Sequence, residues 1–167
     1  NPPARIRPAT PADAEAMRAV YNHAVAHTTA SLDTEPRSAD AQALWMERHA
    51  FDPYPAFVAD ADGTVAGWAS LSPYNPKPGY RATAENSLYV HPEWRGRGVG
   101  GALLDHLLAD APSRGIVTVV ALITAENDVS LALHRRRGFV DAGLLRRVGR
   151  KFDRWVDVAL LQWHAPG

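Results

Sequence analysis

The sequence contains no cysteine. That excludes a disulfide framework, a thiolate metal site and a cysteine nucleophile, so no acyl-thioenzyme can form on this chain. It also lacks any net charge, with Lys+Arg and Asp+Glu both 18 in 167 residues. Nothing global draws the chain to nucleic acid or to an anionic membrane, and neither is expected as a partner. No apolar run reaches the roughly 18 residues of a membrane span. The opening stretch, NPPARIRPAT, has no initiator Met and no apolar segment of the secretion-signal kind. A soluble cytoplasmic protein that holds no metal is the expectation. Any basic site must be local.

What is present fits one domain spanning 1–167, with 46% apolar residues to build its core. ARIRPA reads as a short strand. Thr10, Pro11 and Asp13 mark a helix start, with a hydroxyl cap, a proline in the first turn and an acid three residues on. Met17, Val20, Tyr21, Ala24 and Val25 follow at helical spacing. HTTASLDTEPRS is a loop, after which Ser38 is placed to cap a helix carrying Leu44, Trp45 and Arg48. PAFVADADGTVAGWASLS predicts a hairpin turning at Asp62-Gly63. PYNPKPGYR is a proline-broken loop, and TAENSLYV is a strand. A further helix runs to about Pro112. IVTVVALI is β-branched and continuous, which predicts a strand buried on both faces. NDVSLALHRRRGF predicts a helix capped by Asn127 or Asp128, with Gly138 as its left-handed terminator. Arg135, Arg136 and Arg137 then oppose the negative end of the helix dipole. Strands around LLRRVG and WVDVALLQW close the chain. The order β-α-α-β-β-β-α-β-α-β-β is that of a mixed α/β domain around one central sheet.

The stretch VHPEWRGRGVGGALL concentrates the local charge. Gly96-Arg97-Gly98-Val99-Gly100-Gly101 formally fits the dinucleotide pattern G-x-G-x-x-G. The context does not. HPEW separates the first glycine from its strand, and only about 40 residues remain after Glu126, too few for the doubly wound sheet that pattern serves. No Gly-Lys-Ser/Thr follows, so it is not a P-loop. The physics stands regardless. Bare backbone N–H groups, a helix N-terminus and the guanidinium groups of Arg95 and Arg97 together suit a pyrophosphate. A flexible turn with solvated arginines is the competing reading.

RGRGVG resembles the (Q/R)-x-x-G-x-(G/A) motif with which the Gcn5-related N-acetyltransferases (GNAT) grip the pyrophosphate of acetyl-coenzyme A. NDVSLALHRRRGF resembles that family's N-x-x-(A/S)-x-x-L-(Y)-x-(K/R)-x-G-F segment. SLDTEP, YRATAENSLYV and VGRKFDRWVDVALLQ resemble its phosphinothricin/methionine sulfoximine branch, which acetylates the α-amino group of small amino-acid analogues. Leu32 departs from that branch, where an aromatic often stands. The resemblance implies a mostly antiparallel mixed sheet flanked by about four helices, acetyl-CoA as co-substrate, and a homodimer built partly on Trp155 and Trp163.

It also implies roles. Glu85 shares a strand face with Ser87 and Tyr89 by alternation. The resemblance makes it the general base that takes a proton from the amine; the competing reading is a solvated strand-end glutamate. The backbone of Leu88, Tyr89 and Val90 would pair with the pantetheine amides. Arg95, Gly96, Arg97, Gly98, Val99, Gly100 and Gly101 would hold the diphosphate. Asn127 and Ser130 would bond the cofactor arm, although helix capping already explains Asn127. His134 stands where a proton donor to the leaving thiolate is expected, and a histidine satisfied by its surroundings is the alternative. Arg81 suits a substrate carboxylate, with Tyr80 and Lys77 beside it on an otherwise exposed loop. Acetylation of another amine, such as a protein N-terminus, remains open at this stage. So does an acyl-CoA-binding sensor without catalysis.

Overall fold

A computed structural model describes residues 4–167. Seven strands form one sheet in the order β1-β2-β3-β4-β5-β7-β6. They are β1 (Arg5–Pro8), β2 (Ala56–Ala61), β3 (Thr64–Pro73), β4 (Thr83–Val90), β5 (Thr118–Thr124), β6 (Val140–Lys151) and β7 (Arg154–His164). All neighbours are antiparallel except β4 and β5. Four helices flank the sheet: α1 (Ala14–His27), α2 (Ala39–Arg48), α3 (Val99–Asp110) and α4 (Asp128–Arg135). Element order, mixed sheet and helix number are as expected from the sequence.

Two apolar clusters hold the layers together. On one face Met17, Val20, Tyr21 and Val25 of α1 pack on Val58, Val65 and Trp68 of the β2–β3 hairpin. On the other, Leu103, Leu104 and Leu107 of α3 pack on Leu71, Ala84, Val119, Ala121 and Leu161. Leu131 of α4 and Phe139 join this second cluster. Each fully buried leucine contributes roughly 1.5–3 kcal/mol, so α3 is the main fastener of that face.

Local signals work largely as read. Ser38 Oγ accepts from the Ala41 N–H at 3.1 Å. Asn127 Oδ1 accepts from the Ser130 N–H at 3.2 Å. Gly138 sits at φ +90° after α4. Arg135 and Arg137 pair with Asp141 and Asp105. At the first helix the acid does more than the hydroxyl. Asp13 accepts from the Thr10 N–H at 2.8 Å and is bound by Arg7 of β1, inside a 3-10 turn that precedes α1.

One expectation fails. β5 is not buried on both faces. Val119, Ala121 and Ile123 are buried under α3, while Leu122 is 43% exposed. Neither α1 nor α2 extends over this part of the sheet, so an apolar side chain faces outward there.

Candidate active site

β4 and β5 pair only at Thr83–Thr118, Ala84–Val119 and Glu85–Val120. Past Glu85 they part. β4 continues beside β3 as far as Val90, while β5 continues beside β7. The β5-facing edge of Asn86–Val90 is left without a ladder partner among the described residues. Backbone donors and acceptors in that state invite an added extended segment. A cavity of about 100 Å³ lies in the fork. Glu85, Asn86, Ser87, Leu88, Tyr89, Leu122, Thr124, Asn127, Ser130 and His134 line it, and Ala30 reaches it from the loop after α1.

Glu85 stands where the strands divide. It is half-buried, and burial alone pushes its carboxyl above the ordinary glutamate value. No cation lies within ion-pair distance of it among the described residues. Such a carboxylate is a better proton acceptor than a solvated one. Ser72 and Ser70 of β3 stand opposite Glu85 and Ser87. His49, behind them on the α2 side, has Nε2 3.0 Å from Ser72 Oγ. Tyr89 turns inward instead, edge-on to Tyr21 with ring centroids 5.1 Å apart.

His134 is placed differently from its expected role. It is only 2% exposed. Its Nδ1 lies 2.7 Å from the Ser130 carbonyl, which can only accept, so Nδ1 carries the proton. Nε2 then accepts from Asn86 Nδ2–H at 3.0 Å. Burial pushes the imidazole below its ordinary value, which keeps it neutral near pH 7. A ring with its proton committed to a carbonyl and its lone pair to an amide has nothing to give a leaving group. This arrangement favours the other reading of His134, a histidine satisfied by its surroundings.

The same wall carries unused polar capacity. Asn86 Oδ1 and Thr124 Oγ1 are buried without a protein partner. An unsatisfied buried acceptor or hydroxyl costs roughly 1–3 kcal/mol. Two of them lining one cavity fit a polar, amide-bearing guest.

At the far end of β4 the glycine stretch forms the mouth of α3. Gly96 and Gly98 have φ of +74° and +79°, a region only glycine enters cheaply. Gly98 is the N-cap and offers no side chain, and the first turn contains no acid. The leading N–H groups therefore face outward, flanked by exposed Arg95 and Arg97. Arg97 leans on the Trp94 ring at 4.8 Å. Gly100 is packed tightly enough that a Cβ there would lie 3.3 Å from Leu133 of α4. An anion cradle, a free strand edge and a half-buried carboxylate thus follow one another along β4.

Not every expected residue gathers here. Arg81, Tyr80 and Lys77 lie on the exposed loop between β3 and β4 and do not line the cavity. Tyr80 packs on Tyr74, with centroids 5.5 Å apart. Sequence reading missed Asn86, Ser72, His49, Thr124 and Ala30. Asn86 carries a retrievable signal, a polar residue at an inward position of an apolar strand. His49 and Ala30 carry none, because only the tertiary fold brings their loops near β3 and β4.

Comparison with known proteins agrees with this geometry. The profile described as Acetyltransferase (GNAT) family matches residues 15–139. The L-amino acid N-acyltransferase MnaT of Escherichia coli is 39% identical over 157 residues, covering 94% of this chain and 91% of that protein. The L-methionine sulfoximine/L-methionine sulfone acetyltransferase of Pseudomonas paraeruginosa is 41% identical over 160 residues, covering 95% and 93%. The Salmonella typhimurium protein yncA, solved with its cofactor acetyl-CoA, superimposes with a TM-score of 0.95 at 36% identity, covering 98% and 95%. A forked sheet, an anion cradle at a helix mouth and matches of this extent lead to one conclusion: the chain belongs to the GNAT family of acetyl-CoA-dependent N-acetyltransferases.

Proposed function

We propose that this enzyme moves the acetyl group of acetyl-CoA onto the α-amino group of a small amino acid or analogue, of the phosphinothricin and methionine sulfoximine type. The observation that carries the mechanism is the half-buried, unpaired Glu85 at the division of β4 and β5. When bound, acetyl-CoA supplies a thioester carbonyl open to attack by an amine. Everything else falls to this chain. Residues 96–101, with Arg95 and Arg97, hold the diphosphate, and the edge at Leu88, Tyr89 and Val90 aligns the arm. Asn127 and Ser130 border the arm's inner side. An α-amino group has a reference pKa of about 7.7–8.0, so near neutrality most of it is protonated and cannot attack. Glu85 removes that proton, directly or through water. A backbone N–H near Val90 polarises the acetyl oxygen. With no cysteine available, transfer is direct within a ternary complex.

The thiol released needs no dedicated acid. With a reference pKa of about 8.5, it takes its proton from water near pH 7. The loop that carries Arg81, Tyr80 and Lys77 binds the substrate carboxylate at the outer mouth. The apolar residues left exposed on β6 and β7, Leu144, Leu145, Val148 and Trp155 among them, form a homodimer face. Trp163, expected to share in it, packs partly against the α3-side core. A cysteine-free chain using acetyl-CoA suits the cytoplasm. A screen of free amino acids, their sulfoximine and phosphinate analogues and peptide N-termini, read by thiol release, tests the substrate class. Turnover confined to free amino acids and analogues is expected. Turnover confined to peptide N-termini, or none on any amine, would overturn it.

A further inference from the structure

Among the described residues, Ala30 is the one that reaches the cavity from outside β4, β5 and the α4 end. It belongs to the connection between α1 and α2, which has no regular structure over Thr28–Arg37. Something must fix it. Lys151, at the last position of β6, does so from 120 residues away. Its ammonium donates to the Thr28 carbonyl and to the Ser31 carbonyl, each at 2.7 Å, bracketing Ala30 on both sides. Lys151 is 5% exposed and makes no ion pair among the described residues. Besides the two carbonyls, that ammonium meets the Phe152 ring, 5.1 Å away; it is costly, since a charge leaves water without an opposite charge in ion-pair contact.

Two neighbouring contacts point the same way. A Cβ at Gly149 would stand 2.6 Å from Leu32 Cδ1, so the missing side chain is what seats Leu32 on β6. Thr29 Oγ1 donates to Glu126, which Arg154 of β7 holds at 2.5 Å. Glu126 immediately precedes the cavity-lining Asn127.

We propose that Lys151 is a positioning residue for acceptor specificity. By clamping Thr28 and Ser31 it sets where Ala30 stands, and with it the room left for the amino-acid side chain beside Glu85. This deepens the amine-acetylation reading and rests on it. The clamp acts on the loop that closes the cavity near Glu85 and leaves the diphosphate cradle, at residues 96–101, untouched.

The test compares wild type with Lys151→Met, Lys151→Arg and Thr29→Val, each checked for folding by circular dichroism. In Lys151→Met the KM for the best amino-acid acceptor is expected to rise about tenfold or more, the scale of one or two lost charged hydrogen bonds. The KM for acetyl-CoA stays unchanged within about twofold, and the preference between short and branched acceptors narrows. Lys151→Arg restores part of the loss, and Thr29→Val gives a smaller shift in the same direction. Equal changes in both KM values, or none in either, would overturn the proposal. Amide hydrogen exchange over residues 28–33 gives a readout that does not depend on activity. If wild type acetylated no amino acid, the substrate reading would fail. The clamp would still stand or fall on whether Lys151→Met speeds exchange across that loop.

Discussion

At the scale of single residues, environment separates groups that look alike in the sequence. Glu85 stands inside β4 and Glu126 in the turn just after β5. Glu126 is bound by Thr29 and Arg154, which hold its carboxyl below the ordinary value, whereas burial alone raises that of Glu85. The sign of the raised value matters for stability. Below the ordinary glutamate value, folded and unfolded chains are both protonated at this site, and it costs nothing. As pH rises through the folded value, the buried carboxylate becomes a burden on the native state. Glu85→Gln is therefore expected to melt higher than wild type at pH 7 and at about the same temperature near pH 4, measured by scanning calorimetry. A lower melting temperature at pH 7 would mean that an unseen partner satisfies the carboxylate. For His134 the bonding argues structure, not acid catalysis. His134→Gln is expected to lower activity through the loss of its bond with Asn86, while the alkaline side of the pH–rate profile keeps its midpoint. A shifted or abolished alkaline limb would restore the proton-donor role.

Among the elements, those defined by local chemistry were legible. Caps at Ser38 and Asn127, the terminator at Gly138 and the turn at Asp62-Gly63 each follow from one or two side chains acting on nearby backbone, and the structure bears each of them out. β5 was misread because burial depends on what lies across the sheet. IVTVVALI cannot reveal that α1 and α2 stop short of Leu122. The division between β4 and β5 was equally hidden, since strand pairing is a long-range property and nothing in TAENSLYV marks where its partner leaves. The cradle at the mouth of α3 was legible because glycine spacing is itself a conformational statement. It yields a prediction at this scale. Gly98 has φ +79° and open space around it, so Gly98→Ala meets no clash but does meet backbone strain of about 1–2 kcal/mol. The KM for acetyl-CoA is expected to rise several-fold, with the KM for the amine little changed. An equal effect on both would place the cradle's role elsewhere.

For the whole molecule, the β6–β7 hairpin would join the two proposed roles. One side exposes Val148 and Trp155, with Arg147 and Arg150 each 5.1 Å from the Trp155 ring. Its inner end supplies Gly149 and Lys151 to the acceptor loop. A charge placed in the apolar face, as in Trp155→Glu, is expected to produce monomers in analytical ultracentrifugation and to weaken amine binding at the same time. A wild-type protein that sediments as a monomer would remove the dimer from the account.

The central claim is that a carboxylate at the parting of two strands deprotonates the amine while separate elements hold the acyl donor. Thiol release by Glu85→Gln, measured alongside its calorimetric affinity for acetyl-CoA, tests it most directly. The expected result is a rate lower by about 10²–10⁴-fold, the usual worth of a general base, with affinity for acetyl-CoA unchanged. A variant that turns over within about threefold of wild type at saturating substrates, a difference far below that worth, would contradict it.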